Sequence, residues 1–245
     1  MAGHLRIGTS GWSYDHWDGA FYPEELKPSE RLAYYAGRFP TVEINSTFYR
    51  LPAEKTVRAW RDSVGADFAF AVKGSRFVTH FRKLADVGDS VSTFCERAAL
   101  LADRLHVVLW QLPAGMTIDL ALLDAFLGVL PTTTRHAVEF RDASWLVDET
   151  FEVLSTHNIA HVHVSSDVMP IDLTTTADFV YVRFHGLVGY HGEYVSRPLE
   201  PWADFLRAQL DEGRDAYAYF NNDAKACAPR DAARLARMCG SAEGR

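Results

Sequence analysis

The residues able to do chemistry in this chain sit where its apolar runs end. Glu43 and Asn45 lie two apart in Thr41–Arg50, TVEINSTFYR. On a β-strand that spacing turns both side chains to one face. A carboxylate and an amide facing a buried interior are costly unless something pairs with them. The pattern recurs along the chain: Thr9 and Ser10 in LRIGTS, Lys73 in FAFAVKG, Gln111 in VVLWQL, and Glu139 and Arg141 in HAVEFR. Further on come His163, Ser165 and Asp167 after AHV, Arg183 and His185 in FVYVRFHG, and Asn221, Asn222 and Asp223 after AYAYF. Parity groups Glu139 with Arg141, Tyr181 with Arg183 and His185, and His161 with His163.

These types suit acid–base work on an anion. Arg presents a planar fork to a carboxylate or phosphate, and Lys a point charge. Glu43, Glu139, Asp167 and His185 can carry protons once burial or a neighbouring charge tunes them. Glu43, Lys73, Glu139 and His185 are therefore the catalytic candidates. Ser10, Trp12, Asn45, Tyr49, His80, Gln111, Arg141, Trp145, Asp167, Arg183, Asn221 and Asn222 are the substrate-binding candidates. Trp12, Tyr14, Trp17, Phe48, Tyr49, Trp145, Tyr190 and Tyr194 can ring the mouth and stack on a ligand, though each serves equally as packing. His80 falls in Phe77–Arg82, a segment readable as a lid or as plain surface loop. The competing reading is that buried Glu, Lys and Arg merely neutralise one another. Polar endings on all eight runs favour a site, because the opposite end of a barrel needs no such concentration.

Positioning those groups takes eight strands: Leu5–Ser10, Thr41–Ser46, Phe68–Gly74, Val107–Leu112, His136–Arg141, Ala160–Ser166, Phe179–Gly186 and Ala216–Asn222. Helical spacing predicts helices over Ser29–Arg38, Ala53–Val64, Asp89–Arg104, Asp119–Leu130, Asp148–His157, Leu199–Glu212 and Arg230–Cys239. Asp167–Asp178 is too short and β-branched for a helix, so an irregular connection is expected after strand six. Ser241–Arg245 reads as a loose tail. Near-continuous apolar strands alternating with helices point to a single α/β domain over residues 1–245, a (β/α)8 TIM-type barrel. An open doubly wound sheet is the alternative, but GTSG at Gly8–Gly11 leads into Trp12 and is neither GxGxxG nor GxxxxGK[ST].

The 245 residues carry a formal charge of −7, which disfavours broad nucleic-acid binding without excluding a local basic pocket. No run reaches the ~20 apolar residues of a membrane span. The N-terminus lacks a basic region followed by an apolar run, so no secretion signal is expected. Cys95, Cys227 and Cys239 form no CxxC, which suits reduced thiols and a cytoplasmic location.

Several longer stretches are more specific. They are GTSGW at Gly8–Trp12, FYP at Phe21–Pro23, FPTVEINSTFYRLP at Phe39–Pro52 and FAFAVKG at Phe68–Gly74 with TH at Thr79–His80. QLP at Gln111–Pro113, EFRDASW at Glu139–Trp145, VRFHG at Val182–Gly186 and FNND at Phe220–Asp223 follow. Together they resemble the YecE-like family, a domain of unknown function, from first strand to last. The resemblance implies a single (β/α) barrel and supplies no established reaction. Ala160–Asp178 matches it less clearly, so His161 and His163 gain nothing from it.

Three functions follow from the residues. One is an enzyme using acid–base chemistry (isomerisation, elimination or hydrolysis) on a small anionic or polyhydroxylated substrate. A second is a nucleic-acid or nucleotide binder, including an endonuclease-like barrel. A third is a noncatalytic small-ligand binder. No cofactor is predicted. A divalent metal is an alternative, with Glu43, Glu139, His163, His185 and Asp223 as the ligands that would have to converge. Nucleophile signals are weak: GxSxG is missing, and Cys227 lies among alanines with no obvious paired His.

Overall fold

The computed structural model describes residues 3–186 and 192–240. Eight parallel strands alternate with helices. The strands are β1 (Leu5–Thr9), β2 (Thr41–Ile44), β3 (Ala69–Lys73), β4 (Leu105–Gln111), β5 (Arg135–Glu139), β6 (Ala160–Ser165), β7 (Phe179–Phe184) and β8 (Asp215–Phe220). They pair in the order β1-β8-β7-β6-β5-β4-β3-β2. A parallel bridge between Ser10 and Glu43 brings the two ends together, so the sheet forms a nearly closed (β/α)8 barrel. An open doubly wound sheet is thereby ruled out.

The helices are α1 (Arg31–Ala36), α2 (Ser46–Tyr49), α3 (Glu54–Asp62), α4 (Gly88–Ala98), α5 (Leu120–Gly128), α6 (Asp148–Thr156), α7 (Ser196–Asp211) and α8 (Cys227–Met238). α5 starts where Asp119 accepts a hydrogen bond from the Leu122 N–H at 3.0 Å. The expected irregular connection after β6 is present, since residues 166–178 contain no helix. Two expectations needed correction. The helix expected over Asp89–Arg104 gives way after Ala98 to a 3-10 stretch, where Ala102 adopts φ +53°. The short α2, directly after β2, was not anticipated, because four residues carry too little periodicity to register. Ser241–Arg245 lies outside the described residues, as does Tyr190.

Side chains alternate between two cores. Ala71, Val107, Leu109, Ala137, Val162, Tyr181, Tyr217 and Tyr219 fill the barrel interior. A larger apolar layer packs between strands and helices. His136, His161 and His163 are buried on the outer side of their strands. His136 accepts from the Trp110 indole at 3.1 Å and donates to the Pro131 carbonyl at 3.0 Å. His163 donates to the Asp172 carbonyl at 3.0 Å and meets Phe205 of α7 edge-on, at 4.9 Å between centroids.

Closure between β1 and β2 relies on a side chain. The Tyr35 hydroxyl accepts from the Thr9 N–H at 2.9 Å and donates to the Thr41 carbonyl at 3.1 Å, standing in for a ladder hydrogen bond. Gly8 allows the approach, because a Cβ there would lie 2.1 Å from the Thr41 oxygen. Outside this seam lies an apolar cavity of about 550 Å³ between α1 and α8, lined by Leu5, Ile7 and Phe39 among others.

Two outcomes follow. Tyr35→Phe should destabilise the barrel by about 1–3 kcal/mol in urea unfolding, because it strands buried polar groups on both strands. Acid should also destabilise it. Burial lowers the pKa of His136 and His163 from 6.5 to about 4, and that of His161 to about 3. The unfolded chain then binds protons that the fold refuses, so stability falls as pH drops from about 6.5 toward about 4. Thermal unfolding at about pH 5 should show a loss on the order of 1–2 kcal/mol per imidazole relative to pH 7.

Candidate active site

The site occupies the C-terminal ends of the strands, and its floor is a buried ionic network. Arg183 near the end of β7 donates through Nη1 to Glu139 Oε2 at 2.5 Å and through Nη2 to Glu43 Oε1 at 2.7 Å. Glu43 also accepts from Ser10 Oγ and from the Tyr181 hydroxyl, each at 2.6 Å. Glu139 accepts from Gln111 Nε2 at 2.8 Å and from Arg141 Nε. His185 Nε2 lies 3.1 Å from Glu139 Oε1, and its Nδ1 lies 3.2 Å from Asn221 Nδ2. The carboxylate selects the tautomer with hydrogen on Nε2, leaving Nδ1 to accept from Asn221.

This network explains the protonation states. Burial pushes the Glu43 carboxyl up, but Arg183, the two hydroxyls and Lys73 bring it below the ordinary value. Burial opposes ionisation of Glu139 as well, yet Arg183, Arg141 and His185 hold it well below the carboxylate range. Both carboxylates are fully buried and have their oxygens engaged. Burial lowers His185 to about 4, so it is neutral near pH 7.

Lys73 differs from the rest. Its Nζ lies 4.3 Å from the centroid of the Phe48 ring. Its backbone is pinned where the Thr47 hydroxyl donates to the Lys73 carbonyl at 2.7 Å. Burial and the Arg183 charge lower its pKa from 10.5 to about 8. His80 joins this edge of the site: its ring meets Phe48 at 4.9 Å, and its Nδ1 lies 2.9 Å from Thr79 Oγ1. The segment around it, Phe77–Phe81, forms a π-helical turn.

The chain belongs to the DUF72 family. The family model, described as a protein of unknown function, matches residues 6–245. The UPF0759 protein YecE of Escherichia coli K12 is 34% identical over 140 residues, covering 56% of this chain. That match spans about half of YecE, 48% of its length. The UPF0759 protein YunF of Bacillus subtilis is 23% identical with 89% of each chain covered. Among solved structures, a DUF72 family protein from Thermotoga maritima superposes with a TM-score of 0.88 at 30% identity, covering 97% of this chain and 99% of that one. No helix among the described residues is long and apolar enough to cross a membrane.

This DUF72 barrel gathers Ser10, Glu43, Lys73, Gln111, Glu139, Arg141, Arg183, His185 and Asn221 into one cluster. Asn45 follows β2 and carries a buried Oδ1 with no hydrogen-bond partner among the described residues. Tyr49 stands 65% exposed, with Arg76 over its ring at 5.5 Å. Trp12 packs edge-on against Trp60 at 5.7 Å. Asp167 is exposed beyond β6.

Other candidates are placed elsewhere. Trp145 is fully buried, stacked on Phe140 at 4.8 Å with its indole donating to the Met116 carbonyl, so it is core rather than rim. Trp17 and Tyr194 are likewise fully buried. Asn222 points away from Asn221 and donates to Asp231 at 2.7 Å and to the Gly192 carbonyl at 2.9 Å. The metal set does not converge either: His163 faces α7, and Asp223 accepts from the Trp17 indole at 2.6 Å. Among the described residues no group of three or more His, Cys, Asp or Glu is arranged to hold a metal ion. The group missing from the candidates was Tyr181, which shares a strand face with Arg183 and His185 and carries that signal in its parity alone.

Removing the shared cation should expose how much the network depends on it. Arg183→Leu should cost about 3–5 kcal/mol in urea unfolding, because two buried carboxylates lose their counter-ion. Adding Glu43→Gln and Glu139→Gln should recover a large part of that loss.

Proposed function

We propose that this protein is an acid–base enzyme acting on a small anionic or polyhydroxylated substrate held above the buried network. The observation that carries this reading is the charge arrangement. Among the described residues, three cations of this cluster, Lys73, Arg141 and Arg183, stand with two buried carboxylates, Glu43 and Glu139, so the cluster carries one net positive charge while Lys73 is protonated. A small carboxylate or phosphate complements that excess, and a low-dielectric setting strengthens the attraction. Asn45 and Asn221 supply amide dipoles to orient hydroxyl or carbonyl groups.

The proton traffic falls to Lys73. Glu43 and Glu139 are saturated with donors and held ionised, so they serve as fixed counter-charges. His185 is neutral and orients Glu139, donating from Nε2 at 3.1 Å while its Nδ1 accepts from Asn221. Lys73, with a midpoint near 8, exchanges a proton at little cost close to neutral pH. The acidity of the chain as a whole weighs against a nucleic-acid partner.

A melting-temperature screen against phosphate, small mono- and dicarboxylates and sugar phosphates tests the reading. At least one anion should stabilise the wild-type protein by mass action. Lys73→Ala and Arg141→Ala should each weaken its apparent affinity about tenfold or more, the worth of one charge-assisted contact. Indifference to every anion, or equal responses from both variants and wild type, would refute it.

A further inference from the structure

We propose that Lys73 is an imine-forming amine, and that the substrate of this site carries a carbonyl group next to its carboxylate or phosphate. This deepens the anion-binding reading and rests on it. The argument starts from the five lysines of the chain. Lys27, Lys55, Lys83 and Lys225 are exposed. Lys73 alone is withdrawn into the barrel mouth, at the end of a rigid strand. Its Nζ sits against the face of Phe48 and makes no hydrogen bond or ion pair with the described residues.

A lysine used only as a structural cation would sit on a carboxylate. Here both nearby carboxylates are directed at Arg183 instead. Burial and then the Arg183 charge favour the uncharged amine, with a smaller push from Arg141; Glu139 and Glu43 oppose them, and the balance still lies toward the uncharged form. An apolar wall together with neighbouring cations is the setting that activates a lysine toward carbonyl carbon. The guanidinium of Arg141, at the same end of the barrel, is suited to the adjoining anionic group.

The step balances without an oxidant or reductant. Uncharged Nζ adds to the carbonyl carbon, and the proton released from nitrogen passes to the former carbonyl oxygen. That hydroxyl takes a second proton and departs as water while C=N forms. The product is an imine that, protonated, restores the positive charge between Phe48 and the ionic network, where Glu43 and Glu139 balance it.

The experiment is reductive trapping of the full-length protein. Glyoxylate, an aldehyde carrying a carboxylate, is compared with acetaldehyde, which has none, each with cyanoborohydride, and adducts are mapped by peptide mass spectrometry. Hydride from the reagent converts the imine to a stable secondary amine. The expected result is one dominant adduct on wild-type Lys73, formed about tenfold or more faster from glyoxylate than from acetaldehyde. Trapping should be faster at about pH 8 than at about pH 6, since the uncharged amine is the reactive form. Arg141→Ala should slow the glyoxylate reaction several-fold more than the acetaldehyde reaction, because it removes the partner of the carboxylate as well as one of the charges that favour the uncharged amine. Because mapping uses the wild-type chain, the four exposed lysines serve as internal controls whether or not a Lys73→Arg variant folds. Labelling of Lys73 no faster than those four overturns the proposal. If phosphate or oxalate stabilises the protein while Lys73 stays unlabelled, the imine falls and the anion site stands. If Lys73 is labelled equally by both aldehydes and no anion raises the melting temperature, the anionic substrate class falls with the reading beneath it.

Discussion

The guanidinium of Arg183 is shared by two carboxylates that never touch water, and the top of the barrel is arranged around that sharing. A buried carboxylate without a partner is penalised by several kcal/mol and protonates instead. Here one planar cation, with a separate nitrogen for each, keeps Glu43 and Glu139 ionised at once. The contact also joins strands that are not neighbours. β7 pairs with β6 and β8, yet Arg183 reaches across the interior to β2 and β5. Ser10 at the end of β1 and Tyr181 on β7 complete the coordination of Glu43, so the network spans the barrel seam as well as its centre.

That structural network has a chemical consequence. Each carboxylate is claimed by Arg183, so neither is left to hold the ammonium of Lys73. The positive field of the guanidinium then acts on an amine already desolvated against Phe48, and both effects move its pKa downward. The division of labour is physical. Groups with several strong hydrogen bonds keep their charge across a wide pH range, while a group held only by an aromatic face changes its charge near neutrality. His185, which sequence alone would nominate for proton transfer, is pinned as a neutral ring between Glu139 and Asn221.

The seam between β1 and β2 shows a different solution to barrel closure. A tyrosine hydroxyl from α1 supplies the hydrogen bonds that a strand pair would otherwise make, and Gly8 removes the side chain that would hold the strands apart. Only above this point does backbone pairing resume, through Ser10 and Glu43. The end of the barrel that carries the ionic network is thus the better-sealed end of that seam. The high structural similarity to the Thermotoga maritima DUF72 protein runs through the whole of this architecture.

Strand direction is a local property, and so the amino-acid sequence by itself determined much of this protein. Alternation with period two grouped Glu43 with Asn45, Glu139 with Arg141, and Arg183 with Tyr181 and His185, and the rhythm of apolar runs and helices specified eight parallel strands with an irregular passage after the sixth. Parity says which residues share a face but not which face turns inward. Closure of the sheet decided that His161 and His163 lie outside, under the helices, and that Asn221 faces the site while Asn222 anchors a loop. Trp145 looked like a rim aromatic because it follows a polar strand end, but the tertiary packing folded it back onto Phe140. The pairing of charges was likewise beyond the sequence. Which cation meets which carboxylate depends on distances across the barrel, and those distances alone made Arg183 a structural ion and left Lys73 as the amine whose charge can change.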